Sequence, residues 1–85
     1  MEYSIFEIRI KQIISETLEI PYDSIEDQSD IIEDLEADSI QVLDLIIALE
    51  EEFNISISDA DVINNRIVED ITSFIINKKA GAGPQ

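Results

Sequence analysis

The chain contains no Cys, no His and no Trp, and only five of its 85 residues are basic. Without Cys it can form neither a disulfide nor a thiolate metal site, which favours a reducing, intracellular compartment. Without His or Cys it lacks the usual general base for a nucleophilic hydroxyl. Residues 1–4 do not resemble a signal peptide, and no apolar run approaches the ~18 residues of a membrane span. We therefore predict one small cytoplasmic domain.

Acidic residues dominate the chain, which has a formal net charge of −15. All basic residues lie near the ends, so that residues 12–65 contain sixteen Asp or Glu and no Lys or Arg. Such a charge repels nucleic acid and anionic lipid, and attracts proteins with basic patches. A role in solubility alone is the alternative. Because the chain is also 45% hydrophobic, we expect an ordered core and not a disordered acidic tail.

Apolar residues recur at helical spacing in four segments. These are residues 4 to about 18, about 39–53, a short third helix capped by Ser58 or Asp59 and ending near residue 63, and about 67–77. The residues predicted to face inward in the first and fourth helices are Phe6, Ile10, Ile13, Ile14, Thr17, Ile67, Ile71, Phe74 and Ile75.

Polar signals mark the ends of the first helix. Ser4 and Glu7 fit a capping box at its start, and Pro21 requires the helix to end before it. The long connection over residues 19–37 is polar, with isolated apolar anchors that we expect to pin it to the core. These anchors are Ile20, Ile25, Ile31, Ile32 and Leu35.

The second helix has a wide apolar face. At 100° per residue, the predicted core residues are Val42, Leu43, Leu45, Ile46, Leu49 and Phe53. Ile40 and Ile47 fall beyond the edge of that face, beside the acidic Asp44 and Glu51. The two isoleucines are either part of an exposed docking surface or the margin of a core that extends further around the helix.

Ser39 is the candidate functional residue, at the junction of the acidic loop and the second helix. Asp38, with Gln41 three residues later, is the better N-cap, which leaves Ser39 at the first helical position with its hydroxyl outward. Since the usual general base for a nucleophilic serine is missing, this hydroxyl is a candidate for modification and not for catalysis. A helix N-terminus would suit a covalently held phosphate. A plain helix-start serine and a serine phosphorylated by an acidophilic kinase remain alternatives.

The sequence over residues 34–40, Asp-Leu-Glu-Ala-Asp-Ser-Ile, resembles the Asp-Leu-Gly-Ala-Asp-Ser-Leu signature of acyl carrier proteins. Residues 45–53 are similar to the second helix of that family, and the match extends from about residue 6 to residue 76. The resemblance implies an all-α fold, a four-helix bundle with three main helices, a short third helix and a long first loop. It places the acyl carrier domain at residues 1–79 and leaves residues 80–85 as a flexible tail.

The resemblance also implies that Ser39 carries 4′-phosphopantetheine, transferred from coenzyme A by a holo-acyl-carrier-protein synthase, which is a phosphopantetheinyl transferase. The thiol of that arm would hold acyl chains as thioesters, so the protein would be a carrier without catalysis of its own. It would serve fatty acid synthesis enzymes with basic docking patches, as a monomer that holds no metal, binds no nucleic acid and does not insert into membranes. The implied partner-binding residues are Asp38, Ile40, Asp44, Ile47, Glu50 and Glu51.

Three features depart from the family pattern. Glu36 replaces the usual glycine, Arg66 is an extra residue in the segment 64–70, and the tail over residues 80–85 has no counterpart in the family. The first two keep open a dedicated carrier for a polyketide, aminoacyl or other specialised thioester pathway. An acidic helical adaptor without a prosthetic group is a further alternative, from a different class of function.

Overall fold

The computed structural model describes residues 2–82, which form four α-helices and one short 3-10 helix. The four helices are α1 (Glu2–Leu18), α2 (Ser39–Phe53), α3 (Asp59–Asn64) and α4 (Val68–Ala82), and the 3-10 helix (Tyr22–Ser24) lies in the long first loop. α1 packs against α2 and α4, and α3 contacts α2. The predicted all-α four-helix bundle is confirmed. Within residues 2–82, no helix is both long enough and apolar enough to span a membrane.

Aliphatic side chains from three helices and the first loop form the centre of the core. Apolar residues three or four positions apart share one face of a helix and are buried together when the helices pack. The fully buried aliphatic side chains are Ile10, Ile14, Ile31, Leu45, Leu49, Val68 and Ile75. Phe6 stacks on Phe53 with ring centroids 5.3 Å apart, which joins α1 to the end of α2. The predicted inward residues of α1 and α4 are all buried or half-buried.

The structure contradicts the predicted start of α1 and confirms its predicted end. The predicted capping role of Ser4 is wrong, because α1 already begins at Glu2. The end of α1 before Pro21 is confirmed. Glu19 adopts a left-handed backbone with φ 58°, and the Ile20 N–H donates to the Ser15 carbonyl at 3.1 Å, a bond typical of helix C-termini.

α4 extends further than its sequence pattern predicts. It runs to Ala82, past the predicted end at residue 77 and into the predicted tail, in a segment that contains good helix formers. Lys79 Nζ donates to the Phe53 carbonyl at 3.0 Å, which ties this part of α4 to the end of α2. Residues 83–85 lie outside the described residues, so the boundary at residue 79 and the flexibility of residues 80–85 stay predictions.

The first loop is pinned to the bundle, as its anchors predicted. Ile25 and Ile31 are buried, and the other three anchors pack half-buried against the core. Residues 27–31 also pair with residues 66–69, at the junction of α3 and α4, in a contact that we name the seam. Its backbone hydrogen bonds are Ile31 N–H to Arg66 O at 3.0 Å, Val68 N–H to Ser29 O at 2.9 Å, and Glu69 N–H to Asp27 O at 2.8 Å.

Candidate functional site

Ser39 is the first residue of α2, and its side chain is exposed. The preceding Asp38 accepts a hydrogen bond from the Gln41 N–H at 2.8 Å, and the Gln41 side-chain oxygen accepts one from the Asp38 N–H at 3.1 Å. The predicted capping box is therefore confirmed. Because Asp38 caps α2, the Ser39 hydroxyl is not needed for that purpose. It is held on a rigid helix and directed toward solvent.

Asp30 folds the loop that leads into α2. Its Oδ1 accepts the N–H groups of Ile32 at 2.8 Å and Glu33 at 3.0 Å, while its own N–H donates to Asp34 Oδ2 at 2.8 Å. These local bonds turn the chain between the seam and the helix start. Two features thus fix the position of Ser39: the capping box at the start of α2 and this turn in the loop before it.

The Asp30 carboxylate is buried, and its charge is compensated. Burial alone would raise its pKa. The hydrogen bonds from Glu33 and Ile32 and the charge of Arg66, whose Nε lies 3.3 Å from Asp30 Oδ2, outweigh burial and place the pKa below its ordinary value. Asp30 is therefore ionised at neutral pH, and it links the first loop to the segment after α3.

Glu36 has a left-handed backbone with φ 59°, three residues before Ser39. This region is accessible to glycine at no steric cost but is unfavourable for residues with a Cβ atom. The glycine of the family signature would fit the same backbone conformation. Glu36 therefore introduces local strain but does not require a different loop conformation.

A groove of about 560 Å³ begins beside Ser39. Its three sides are the first loop, the start of α2 and the short α3, and its apolar lining residues are Ile32, Ala37, Val42, Leu43 and Ile63. This volume is within the usual range for small-molecule sites. The assignment of Leu43 to the core is wrong. Its side chain is 51% exposed because it borders the groove between α2 and α3.

Four predicted partner-binding residues form one exposed stripe on α2. Ile40, Asp44, Ile47 and Glu51 are spaced by four, three and four positions, so they share one side of the helix. Ile40 is 71% exposed and Ile47 is 46% exposed. The alternative that the core extends over these isoleucines is therefore wrong. We name these four residues the α2 stripe.

The other two predicted partner-binding residues also have structural roles. Glu50 is half-buried, and its Oε2 accepts the Ile57 N–H at 2.8 Å, which holds the segment between α2 and α3. Asp38 caps α2. Replacing either residue would disturb the fold as well as any docking, so their contacts with partners stay predictions.

The sequence patterns did not identify the groove or the ion pair between Asp30 and Arg66. Both depend on contacts between distant segments. One signal was available, because Arg66 is the only basic residue between positions 12 and 77. Among the described residues, no group of three or more acidic side chains is arranged to hold a metal ion.

Comparison with known proteins defines the family. Residues 9–75 match the family model described as a phosphopantetheine attachment site. An acyl carrier protein of Campylobacter jejuni (strain RM1221) is 44% identical over 70 residues, which cover 82% of this chain and 91% of the relative. An acyl carrier protein of Campylobacter lari is 40% identical over 68 residues, with 80% and 88% coverage. A solved acyl carrier protein from Enterococcus faecalis superposes with a TM-score of 0.74 at 33% identity, covering 92% of this chain and 99% of that one.

These matches define a carrier that bears 4′-phosphopantetheine and is not an enzyme. The chain belongs to the acyl carrier protein family. The residues around α2 fit the prosthetic group, since they present an exposed hydroxyl at a helix N-terminus next to an apolar groove. Members of this family carry acyl chains and meet transferase and synthase enzymes.

Proposed function

We propose that this protein holds acyl intermediates as thioesters on a 4′-phosphopantetheine arm at Ser39 and delivers them to fatty acid synthesis enzymes. The observation that carries the proposal is the position of Ser39. Its exposed hydroxyl begins α2, lies within the matched residues 9–75, and borders the groove. The Ser39 oxygen would hold the phosphate of the arm, and the thiol at the far end would hold the acyl group.

The start of α2 supports a phosphodiester at this position. The N–H groups of the first helical turn and the helix dipole favour a negatively charged group there. The chain has no His or Cys to take the Ser39 proton, and in this proposal the transferase supplies the base. The role assigned to Ser39 is therefore that of an acceptor.

The groove gives the cargo an apolar environment close to its attachment point. Its lining is mainly aliphatic, and burial of each CH₂ group of an acyl chain is worth about 0.8 kcal/mol. A chain on the arm can thus be partly withdrawn from water between encounters with enzymes.

The α2 stripe supplies the docking surface in this proposal. Two exposed isoleucines give apolar contact, while Asp44 and Glu51 steer partners with basic patches. Reversing Asp44 and Glu51 to Lys should slow loading of Ser39 by the transferase at low salt, with little change in stability. Asp23→Lys with Glu26→Lys, an equal charge change in the first loop, is the matched control. Equal rates for both variants and the wild type would reject this surface.

Attachment is tested by mapping the modified residue. After incubation with coenzyme A, Mg²⁺ and a broad-specificity phosphopantetheinyl transferase, the protein is digested and its peptides are sequenced by tandem mass spectrometry. Phosphopantetheine on Ser39 is the expected result. Its presence on another serine, or on none in a folded sample, would contradict the proposal.

A carrier for a polyketide, aminoacyl or other specialised pathway is the second candidate, and Glu36 is the observation that favours it. An additional carboxylate at a strained position near Ser39 changes the surface that a transferase or synthase meets. A panel of loading and elongation reactions separates the two candidates. Ready elongation by fatty acid synthase components supports fatty acid synthesis, and refusal by a correctly loaded protein supports a specialised pathway.

The monomeric state and the cytoplasmic location stay predictions. Size-exclusion chromatography with light scattering tests the first, and cell fractionation tests the second.

A further inference from the structure

The seam joins two of the three sides of the groove. Asp30 is two residues before Ile32, on the side formed by the first loop, and Arg66 is three residues after Ile63, on the side formed by α3. The Arg66–Asp30 ion pair is the side-chain salt bridge found across the seam in the described residues. The ion pair therefore lies where it can affect the distance between the first loop and α3.

The charges around the groove oppose its closure. On the loop side, Glu33, Asp34 and Glu36 are exposed and acidic, and Asp59 on the α3 side lines the groove directly. Like charges on the two sides of the groove repel each other. Arg66 brings a positive charge to this acidic region, with its side chain 39% exposed and its partner carboxylate 10% exposed.

We propose that Arg66 is a positioning residue that, through its ion pair with Asp30, holds the first loop close to α3 and so limits the apolar chain that the groove can admit. The three backbone hydrogen bonds of the seam keep residues 27–31 attached when the pair is lost. The widening is then confined to the loop beyond Ile31, where Ile32 and Ala37 line the groove, and the bundle does not unfold. The effect of Arg66 on acyl chains rests on the proposed function, whereas its control of the groove width does not.

The test measures how tightly the protein without its prosthetic group binds N-phenyl-1-naphthylamine, a neutral apolar dye that fluoresces in apolar surroundings. Arg66→Gln removes the charge, and Arg66→Lys restores it. Arg9→Gln is the matched control, because Arg9 is 40% exposed and forms a 2.9 Å ion pair with Glu52 on another side of the bundle. Both Gln variants change the net charge equally.

Arg66→Gln should tighten dye binding by about two- to fivefold, the range expected for the loss of one partly exposed ion pair. Arg66→Lys should lie between that variant and the wild type, and Arg9→Gln should bind like the wild type. In the Arg66→Gln background, Ile63→Ser should weaken dye binding again, because Ile63 is 56% exposed and lines the groove. That reversal would show that the dye binds in the groove.

Unchanged dye affinity in a folded Arg66→Gln protein would overturn the proposal. An equal gain in Arg9→Gln would also overturn it, since general loosening would then be the cause. If Arg66→Gln does not fold, Asp30→Asn replaces it. Tighter dye binding by Asp30→Asn would then support the proposal, and unchanged dye affinity would overturn it. An Asn side-chain oxygen can still accept the N–H groups of Ile32 and Glu33 while the ionic contact is lost.

Failure of this inference is distinguishable from failure of the proposed function. The dye measurement uses no coenzyme A and no transferase, so it gives its answer whether or not Ser39 accepts the arm. Conversely, Arg66→Gln leaves the Ser39 cap intact and should be loaded at the wild-type rate.

Discussion

Replacing Glu36 with Gly should stabilise the protein. Glu36 has φ 59°, a left-handed backbone in which a Cβ atom crowds the following carbonyl oxygen. Its side chain is exposed, so the substitution removes no buried contact. The gain comes from relief of backbone strain at a position where the family signature has glycine.

Two opposing free-energy terms set the size of this effect. Relief of the left-handed strain is worth about 1–2 kcal/mol. The greater freedom of Gly in the unfolded chain costs about 0.5–1 kcal/mol. At the midpoints of the two ranges, the net increase in the free energy of unfolding is about 0.75 kcal/mol. For a domain of this size, that corresponds to a rise in Tm of roughly 3–6 °C.

Urea unfolding of three variants separates strain from charge. Glu36→Gln removes the negative charge but keeps the Cβ atom, so it measures the electrostatic part alone. Glu19→Gly tests the same backbone effect at the end of α1, where φ is 58°. The free energy of unfolding of Glu36→Gly should be higher than that of Glu36→Gln by the calculated margin. If Glu36→Gly is no more stable than Glu36→Gln, the strain argument is wrong.

Two further predictions concern charge. Raising NaCl from about 10 mM to about 100 mM shortens the Debye length from about 30 to about 10 Å and should raise the Tm, because the −15 charge repels itself; a flat calorimetric response would contradict this. Asp30→Asn should lower the free energy of unfolding at pH 7 by about 1 kcal/mol. A lowered pKa in the folded state gives stability that is present above the ordinary value of 3.8 and lost as the pH falls through the folded pKa. The difference between wild type and Asp30→Asn should therefore shrink in urea titrations below about pH 4, and a constant difference would refute the role of the Asp30 charge.

Local signals predicted the start of α2 correctly. The Asp38 and Gln41 side chains bond to backbone groups only three residues away, so the sequence contains the whole capping arrangement. The position of Ser39 follows directly from it. The recognisable signature around this serine made the prosthetic group predictable as well.

The start of α1 and the end of α4 were harder to predict, because no strong breaker stands before Ser4 and none lies at residues 78–80, ahead of Gly81 and Pro84. Without such a signal, the contacts of the folded bundle decide where each helix stops. The bond from Lys79 to the Phe53 carbonyl is one example, since it joins residues 26 positions apart.

The groove could not be read from helical periodicity. That pattern assigns Leu43 to the apolar side of α2 but does not show that the bundle leaves this side open at the groove. The pairing of Asp30 with Arg66 is similarly a long-range contact, which no local pattern encodes.

The central claim is that Ser39 carries the arm, and intact mass spectrometry tests it most directly. Wild type, Ser39→Ala and the exposed-serine control Ser56→Ala are measured before and after incubation with coenzyme A, Mg²⁺ and transferase, with folding checked by circular dichroism. We predict a gain of one phosphopantetheine on the wild type and on Ser56→Ala, and no gain on a normally folded Ser39→Ala. A gain on Ser39→Ala, or its absence from a folded wild type with an active transferase, would contradict the account.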